Sequence, residues 1–191
     1  MTRPSFGGLR EVVQTLILTV VIFLVIQNFV AQPYEVKQVS MERTLQQGQY
    51  VLVDKLSPRW SSYSRGDIVV FHPPGSGDGS IPFIKRVIGV AGDRVEIRDG
   101  QVRVNGTAID ESSYLYDGDP TSPSGDGTTF MIGADEIFVM GDHRSSSRDS
   151  RNFGTVATSE VVGRAVLRYW PLDSLGILET PRYPSLTASG R

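Results

Sequence analysis

The N-terminal part of the chain contains one long apolar segment. Residues 12–34 are 23 consecutive positions without a charged side chain, and 15 of the 20 residues at positions 12–31 are apolar. A helix of about 20 residues spans about 30 Å, which is the hydrocarbon thickness of a bilayer. The pattern therefore predicts a single transmembrane helix, an anchor over residues 12–34, preceded by a short segment of residues 1–11.

Two other interpretations of this segment fit the sequence less well. A core helix of a soluble domain is apolar on one face, whereas this segment is long and apolar all round. A cleaved secretory signal has a shorter apolar region, and cleavage after the segment's last alanine would place the bulky Phe29 at position −3. The charges leave the orientation open, because Arg3 and Arg10 precede the segment while Lys37 and Arg43 follow it.

Short apolar runs separated by turn residues make up residues 36–191. The runs show no long helical period, which favours β-strands. Gly and Pro together contribute 31 of the 191 residues, in keeping with many turns. Asp99-Gly100 lies between two alternating runs and is typical of a two-residue hairpin turn. Strands are predicted at residues 50–53, 67–71, 83–90, 94–97, 101–104, 136–140 and 161–169.

Two further segments have the composition of irregular structure. Residues 111–129 are rich in Gly, Asp, Ser and Pro and poor in apolar side chains, which predicts a long, mobile surface insertion. Residues 172–191 are rich in Pro and Ser, which predicts an irregular C-terminal tail. The chain is thus predicted to be mainly β, with one domain over residues 36–171 after the anchor.

Composition excludes several kinds of site. The net charge of −2 provides no general attraction to nucleic acid, so no nucleic-acid partner is expected. The chain has no cysteine, which excludes disulfides, thiolate metal sites and a cysteine nucleophile. No metal or cofactor is expected, because only two histidines are present and the HExxH, Walker A and GxGxxG motifs are missing. His72 lies at a predicted strand end that runs into a proline turn, and His143 lies in a polar loop; a solvated or loop-structuring side chain is the more common state for each.

A serine enzyme without a histidine base can use a neutral lysine, and the chain has three lysines. Burial among apolar groups lowers a lysine pKa from its usual value near 10.4, because it disfavours the ammonium form. Lys85 lies inside a predicted strand, between Phe83 and Val87 on the same face. An edge strand whose Lys85 and Arg86 reach water fits the same pattern, so both interpretations stay open at this point.

Five sequence boxes follow the apolar segment in order: SMERTL, QYVLVDKL, RGDIVVFHPP, FIKRVIGVAGD and GDHRSSSRDSRNFG. After an N-terminal anchor, they resemble the bacterial type I signal peptidases, which are membrane-bound serine proteases with a Ser/Lys dyad. FIKRVIG matches the lysine box of that family, and the last box matches its GD-x-R…S-x-DSR-x-(F/W)G pattern. The resemblance covers nearly the whole chain and implies a catalytic domain of coiled antiparallel sheets over residues 36–171.

The resemblance also implies roles for individual residues. Ser40 would be the nucleophile, Lys85 the general base, and Ser147 the hydroxyl that orients the lysine amine. The backbone N–H of Ser40 would contribute to the oxyanion hole. The remaining matched positions would form the scaffold near the site: Met41 beside the nucleophile, an ion pair of Arg86 with Asp142, and an ion pair of Asp149 with Arg151.

The same resemblance implies a substrate, a partner and a location. The substrates would be secretory preproteins, bound as an extended strand and cut after small side chains at positions −1 and −3, an Ala-x-Ala preference. The lipid bilayer would hold the anchor in the cell membrane, with residues 1–11 in the cytoplasm and the catalytic domain on the extracytoplasmic face.

Three positions depart from the family's pattern. Arg43 stands where the SM-x-P pattern has proline, so either a looser loop or a substitute contact is expected there. Gln38 stands where a hydroxyl residue or glycine is usual, and its amide is a candidate second donor to the oxyanion. His143 stands where asparagine is usual, and no catalytic role is assigned to it.

Two alternative functions remain to be weighed. A self-cleaving LexA-type repressor shares the dyad, but the apolar span and the lack of a DNA-binding N-terminal domain argue against it. A membrane-anchored β-rich binding module that has lost catalysis would account for the departures at Gln38 and Arg43. Cleavage of a preprotein distinguishes the second alternative from a protease.

Overall fold

The N-terminal apolar segment forms a helix that leads directly into a β-sheet. The computed structural model describes residues 6–77, 79–124 and 127–187. Helix α1 (Phe6–Val25) continues into a π-helical turn (Ile26–Val30), and strand β1 (Ala31–Glu35) follows at once. The helix thus begins earlier than the predicted anchor of residues 12–34, within residues 1–11, and the helical part ends at Val30, four residues before the predicted end. Pro33 gives the reason for the early end, because proline lacks the N–H that a helix interior requires.

The helix is long and apolar enough to cross a membrane. The window Gly8–Val25 contains 18 residues, and none of it is buried inside the protein. The large apolar side chains of α1 from Leu9 to Val25 are exposed, including Leu16 and Phe23. The rest of the described chain does not bury these side chains. The element order confirms the sequence prediction of one N-terminal apolar helix before a mainly β chain.

The main sheet is antiparallel. Its strands lie in the order β1, β2 (Tyr50–Asp54), β11 (Val161–Trp170), β3 (Ile68–Phe71), β4 (Phe83–Gly89), β9 (Glu136–Met140) and β10 (Val156–Ala157), and β12 (Gly176–Ile177) pairs with β11. Register shifts interrupt the pairings of β11 with β2 and β3, and that of β4 with β9. Such bulges bend a strand and increase its twist, so the sheet curls.

The two faces of the main sheet are both buried at its centre. Side chains alternate across a strand, and on β3 the residues Ile68 and Val70 join one apolar cluster while Val69 and Phe71 join another. The first cluster also contains Met41 and packs beneath the segment after β1. Strand β3 consequently has no exposed residue, and β4 beside it is nearly as buried.

A second, four-stranded sheet has the order β7 (Thr107–Ala108), β6 (Gln101–Val104), β5 (Arg94–Arg98) and β8 (Thr129–Met131). The predicted Asp99-Gly100 turn joins its two central strands, with φ angles of 54° and 76° at the two residues, as a type I′ turn requires. A third apolar cluster packs this sheet against Ile88 and Phe138 of the main sheet.

Both segments that were predicted to be irregular are packed in part against the rest of the protein. Within residues 111–129, Glu111, Tyr114 and Thr121 are buried, so this segment is not simply a mobile surface insertion. Glu111 pairs with the buried Arg144, 33 residues away. Because the local sequence pattern contains no information about so distant a partner, this pairing could not be predicted. The tail is also packed in part, because β12 pairs with β11 and Tyr183 is buried in the third cluster. Residues 188–191 of the tail and residues 1–5 lie outside the described residues.

Candidate active site

Ser40 lies in a short 3-10 turn, Val39–Met41, that follows the first strand of the main sheet. The backbone of Val36 holds the start of this segment through hydrogen bonds with Gln49 and Gly48, each 2.8 Å long. Met41 is fully buried, and its carbonyl accepts a hydrogen bond from the N–H of Leu45. These contacts fix both sides of the turn, and Ser40 itself is only 2% exposed.

Lys85 lies on β4, directly beneath the nucleophile candidate. Its side chain is fully buried, and the ring of Phe83 lies 5.0 Å from its Nζ atom. Nζ lies 2.7 Å from the Oγ atom of Ser40 and also donates to the carbonyl of Ile84 at 3.0 Å. Of the two interpretations that the strand pattern left open, the buried one therefore applies.

Burial changes the acidity of Lys85. Desolvation disfavours the ammonium form and lowers the pKa of Lys85 from 10.5 to about 8, while the charges of Asp149 and Asp142 oppose this change. A lysine with this pKa is partly neutral at physiological pH, and a neutral amine can accept a proton from a serine hydroxyl. The buried pair therefore has the geometry and the acidity of a nucleophile with its general base.

Two buried ion pairs lie near Ser40 and Lys85. Arg86 donates to both carboxylate oxygens of Asp142, each at 2.8 Å. Arg151 donates to both oxygens of Asp149, at 2.8 and 2.9 Å. Burial raises the pKa of Asp149, but hydrogen bonds led by the one from Arg151 outweigh it and hold this pKa below its usual value. The partners that the resemblance implied are thus brought together.

Among the described residues, Ser147 makes no hydrogen bond with the lysine amine, although the resemblance implied one. Its hydroxyl donates to Asp149 at 2.7 Å, and the two hydrogen-bond partners of the Lys85 amine within the described chain are Ser40 and Ile84. Ser147 nevertheless lies close to the dyad, since a side-chain carbon on Gly141 would overlap with both Ser147 Oγ and the Ser40 carbonyl. Glycine at position 141 thus permits its own chain segment to lie close against Ser147 and the turn that carries Ser40.

A narrow cleft lies on the N-terminal side of Ser40. It is lined by residues 34–38 and 81–84, together with the buried Val51 and Val70. The side chain of Gln38 is exposed and lines this cleft, next to the turn that carries Ser40. The two walls of the cleft are stretches of chain directly adjoining Ser40 and Lys85.

Sequence reasoning missed a set of contacts on the other side of Ser40. Glu42 contacts His143 across 101 residues, with 2.9 Å between Oε2 and Nδ1, and the ring of His143 stacks on Tyr116. Arg43, the position of the missing proline, donates to the carbonyl of Leu115 at 2.7 Å. This is the substitute contact that was one of the two expectations for Arg43. No spacing rule would have found it, because its partners come from a segment predicted to be mobile.

Comparison with known proteins agrees with the resemblance of the five boxes. The family described as "Signal peptidase, peptidase S26" matches residues 9–170. Signal peptidase I of Leptolyngbya laminosa is 37% identical over 178 residues, which cover 91% of this chain and 85% of the relative. Probable signal peptidase I-2 of Synechocystis sp. is 35% identical, covering 92% and 79%, and signal peptidase IB of Staphylococcus aureus (strain Mu50) is 32% identical, covering 86% and 91%. Because these matches extend over most of the chain, the protein belongs to the signal peptidase family, peptidase S26.

Proposed function

We propose that this chain is a membrane-anchored serine endopeptidase that removes N-terminal signal peptides from secretory preproteins, with Ser40 as nucleophile and Lys85 as general base. Membership of the signal peptidase family supports the removal of signal peptides. The observation that carries the assignment of the dyad is the 2.7 Å separation of Lys85 Nζ and Ser40 Oγ in a buried site.

The reaction follows from the positions of these two groups. The neutral amine of Lys85 accepts the proton of the Ser40 hydroxyl as Oγ attacks the scissile carbonyl. The resulting ammonium then donates this proton to the leaving amine of the mature protein. A water molecule, activated by the same lysine, hydrolyses the acyl-enzyme and releases the signal peptide. The Ser40 backbone N–H, with the amide of Gln38 as a second candidate donor, would stabilise the oxyanion.

The cleft on the N-terminal side of Ser40 is suited to an extended peptide. Its walls, residues 34–38 and 81–84, are extended chain segments beside a sheet, and an extended substrate can add to such an edge through its backbone. Alternate side chains of a bound strand point toward the same face, so the side chains at −1 and −3 would enter the cleft together. The narrow space favours small side chains there, in agreement with an Ala-x-Ala preference.

The apolar helix would anchor the catalytic domain at the membrane surface. It contains the 18-residue apolar window, and a π-helical turn alone separates it from the first strand of the sheet. This short connection keeps the dyad near the bilayer, where the cleavage site of a signal peptide emerges. Cleavage of secreted proteins requires the domain on the extracytoplasmic face, with the N-terminus inside.

The proposed activity is tested with the full-length protein in proteoliposomes and a purified preprotein that carries an Ala-x-Ala site. We expect one cut, directly after the second alanine, identified from the masses of both products. A preprotein with a bulky residue at −1 serves as the matched control and should remain intact. A protein that binds the preprotein but leaves it uncut would instead support the binding module.

The pH dependence of cleavage should reflect the acidity of Lys85. Since only the neutral amine can act as base and the pKa of Lys85 is lowered to about 8, kcat/KM should rise through pH 7, reach half of its maximum near pH 8 and level off about one pH unit higher. Measurement of kcat/KM between pH 6 and pH 10 tests this expectation. A profile that falls over pH 7–9 would exclude lysine as the base.

A further inference from the structure

Four residues outside the dyad connect the nucleophile turn to a neighbouring segment. Glu42 Oε2 lies 2.9 Å from Nδ1 of His143, and their side chains are 31% and 15% exposed. The ring of His143 stacks on Tyr116, with centroids 4.0 Å apart and an angle of 21° between the planes. Arg43 donates to the carbonyl of Leu115. Glu42, Arg43, Tyr116 and His143 are together called the loop clamp below.

The clamp is joined to the nucleophile through the backbone as well. The N–H of His143 donates to the carbonyl of Ser40 at 3.0 Å, and the N–H of Tyr116 donates to the carbonyl of Asp142 at 3.0 Å. His143 therefore contacts Ser40 through its backbone and Glu42, two residues further along, through its side chain. A displacement of His143 would move the nucleophile turn at two points.

The conformation of Arg43 explains why this chain needs such contacts. Its φ angle is +81°, a left-handed conformation that non-glycine residues rarely adopt. In the SM-x-P pattern, proline at this position restricts φ to about −65° and stiffens the turn. Proline cannot adopt the positive φ angle of Arg43. The backbone after Ser40 therefore has a different conformation from the one that a proline would impose, and it lacks the restraint of the proline ring. The contacts of the clamp lie at this same turn.

We infer that Glu42, Tyr116 and His143 are positioning residues, which hold Ser40 at the distance and angle from Lys85 and the scissile carbonyl that the attack requires, in place of the missing proline. They act through the turn and the Ser40 carbonyl. This inference rests on the proposed function and adds a requirement to it, because small displacements of a nucleophile are costly: a shift of about 1 Å can reduce a rate about 100-fold.

The test compares kcat, KM and melting temperature of full-length variants on one preprotein. Glu42→Ala and His143→Ala should each lower kcat about tenfold, while KM stays within about twofold because the substrate cleft lies on the other side of Ser40. The double variant should be no slower than the slower single variant, since both remove one interaction. The melting temperature should change little, because both side chains are partly exposed.

Conservative variants and a neighbouring residue provide the controls. Glu42→Gln keeps an oxygen that can hydrogen-bond to His143, and Tyr116→Phe keeps the stacked ring, so both should retain most of the wild-type kcat. Tyr116→Ala should lose kcat as His143→Ala does. Gln46→Ala, an exposed position four residues after Glu42, should behave as wild type.

Three outcomes would overturn the inference while leaving the proposed function intact. These are wild-type kcat in both Glu42→Ala and His143→Ala, a rise in KM with unchanged kcat, and a loss of kcat that merely follows a fall in melting temperature. Absence of cleavage by the wild-type protein would instead overturn the proposed function, and the inference with it.

Discussion

Ser40→Ala should abolish cleavage, with a fall in kcat of about 10⁶-fold. Alanine removes the one hydroxyl oxygen within hydrogen-bond distance of the Lys85 amine in the described part of the chain. Ser147 cannot replace it, because its hydroxyl is already engaged with Asp149. The measurement is the rate of product formation from a preprotein under single-turnover conditions.

Two controls separate a chemical effect from a structural one. Ser40 is almost fully buried, but the change removes a single atom, so the variant should fold and still bind the preprotein with unchanged affinity. Ser61→Ala, at an exposed serine whose hydroxyl bonds to a backbone carbonyl, should cleave at the wild-type rate. Residual cleavage above about one per cent in Ser40→Ala would mean that another residue is the nucleophile.

Lys85→Met should remove activity almost as completely and at the same time stabilise the protein. Methionine has a similar shape but accepts no proton, so the Ser40 hydroxyl keeps its proton and attack should slow by about 10⁴-fold, the upper range for loss of a general base. The buried amine also opposes folding. Lowering of its pKa from 10.5 to about 8 corresponds to a penalty of about 3 kcal/mol for the charged form.

The sign and the pH range of this stabilisation follow from proton binding. Between pH 8 and pH 10.5 the unfolded chain holds a proton at Lys85 that the folded protein has released, so the stability of the wild-type protein rises with pH in this range. Below pH 8 the full penalty applies. Lys85→Met should therefore melt several degrees higher at pH 7, with an advantage that shrinks toward pH 10.5.

The matched control for this prediction is Lys55→Met. Lys55 is only half-buried and its amine bonds to Gln32, so this variant should keep both the wild-type activity and the pH dependence of the wild-type stability. Melting curves of the three proteins at pH 7 and pH 10 test the prediction. A Lys85→Met variant that melts lower than the wild type at pH 7 would contradict it.

Local patterns predicted much of the fold. Strands β4, β6 and β9 lie where the apolar runs placed them, and the Asp99-Gly100 hairpin has the expected positive φ angles. These features depend on alternation and on turn residues, which neighbouring positions determine. The burial of part of residues 111–129 was missed, because a polar composition is typical of an exposed loop. The negative charge of the buried Glu111 is in fact balanced by Arg144, which lies far from it in the sequence.

In the candidate site, too, local motifs were predictable and long-range contacts were not. The ordered boxes match a family and thereby point to Ser40 and Lys85. The contacts of Glu42 and Arg43 with His143 and Leu115 could not be predicted from the sequence. Ser147 was expected at the lysine amine and instead bonds to Asp149. Arg43 was expected either to loosen the loop or to find a partner, and the partner, Leu115, is 72 residues away.

The sequence by itself determined the apolar helix, the mainly β architecture, the family and the two residues of the proposed dyad, because each is encoded in residue types at short range or in ordered motifs. The tertiary structure decided whether Lys85 is buried or reaches water. That outcome depends on neighbours contributed by distant strands, and on Ser40, 45 residues away, which meets Nζ at 2.7 Å. Desolvation is a property of the whole environment of a group, so the lowered pKa of Lys85 and the contacts of Glu42 and His143 beside Ser40 exist only in the folded chain.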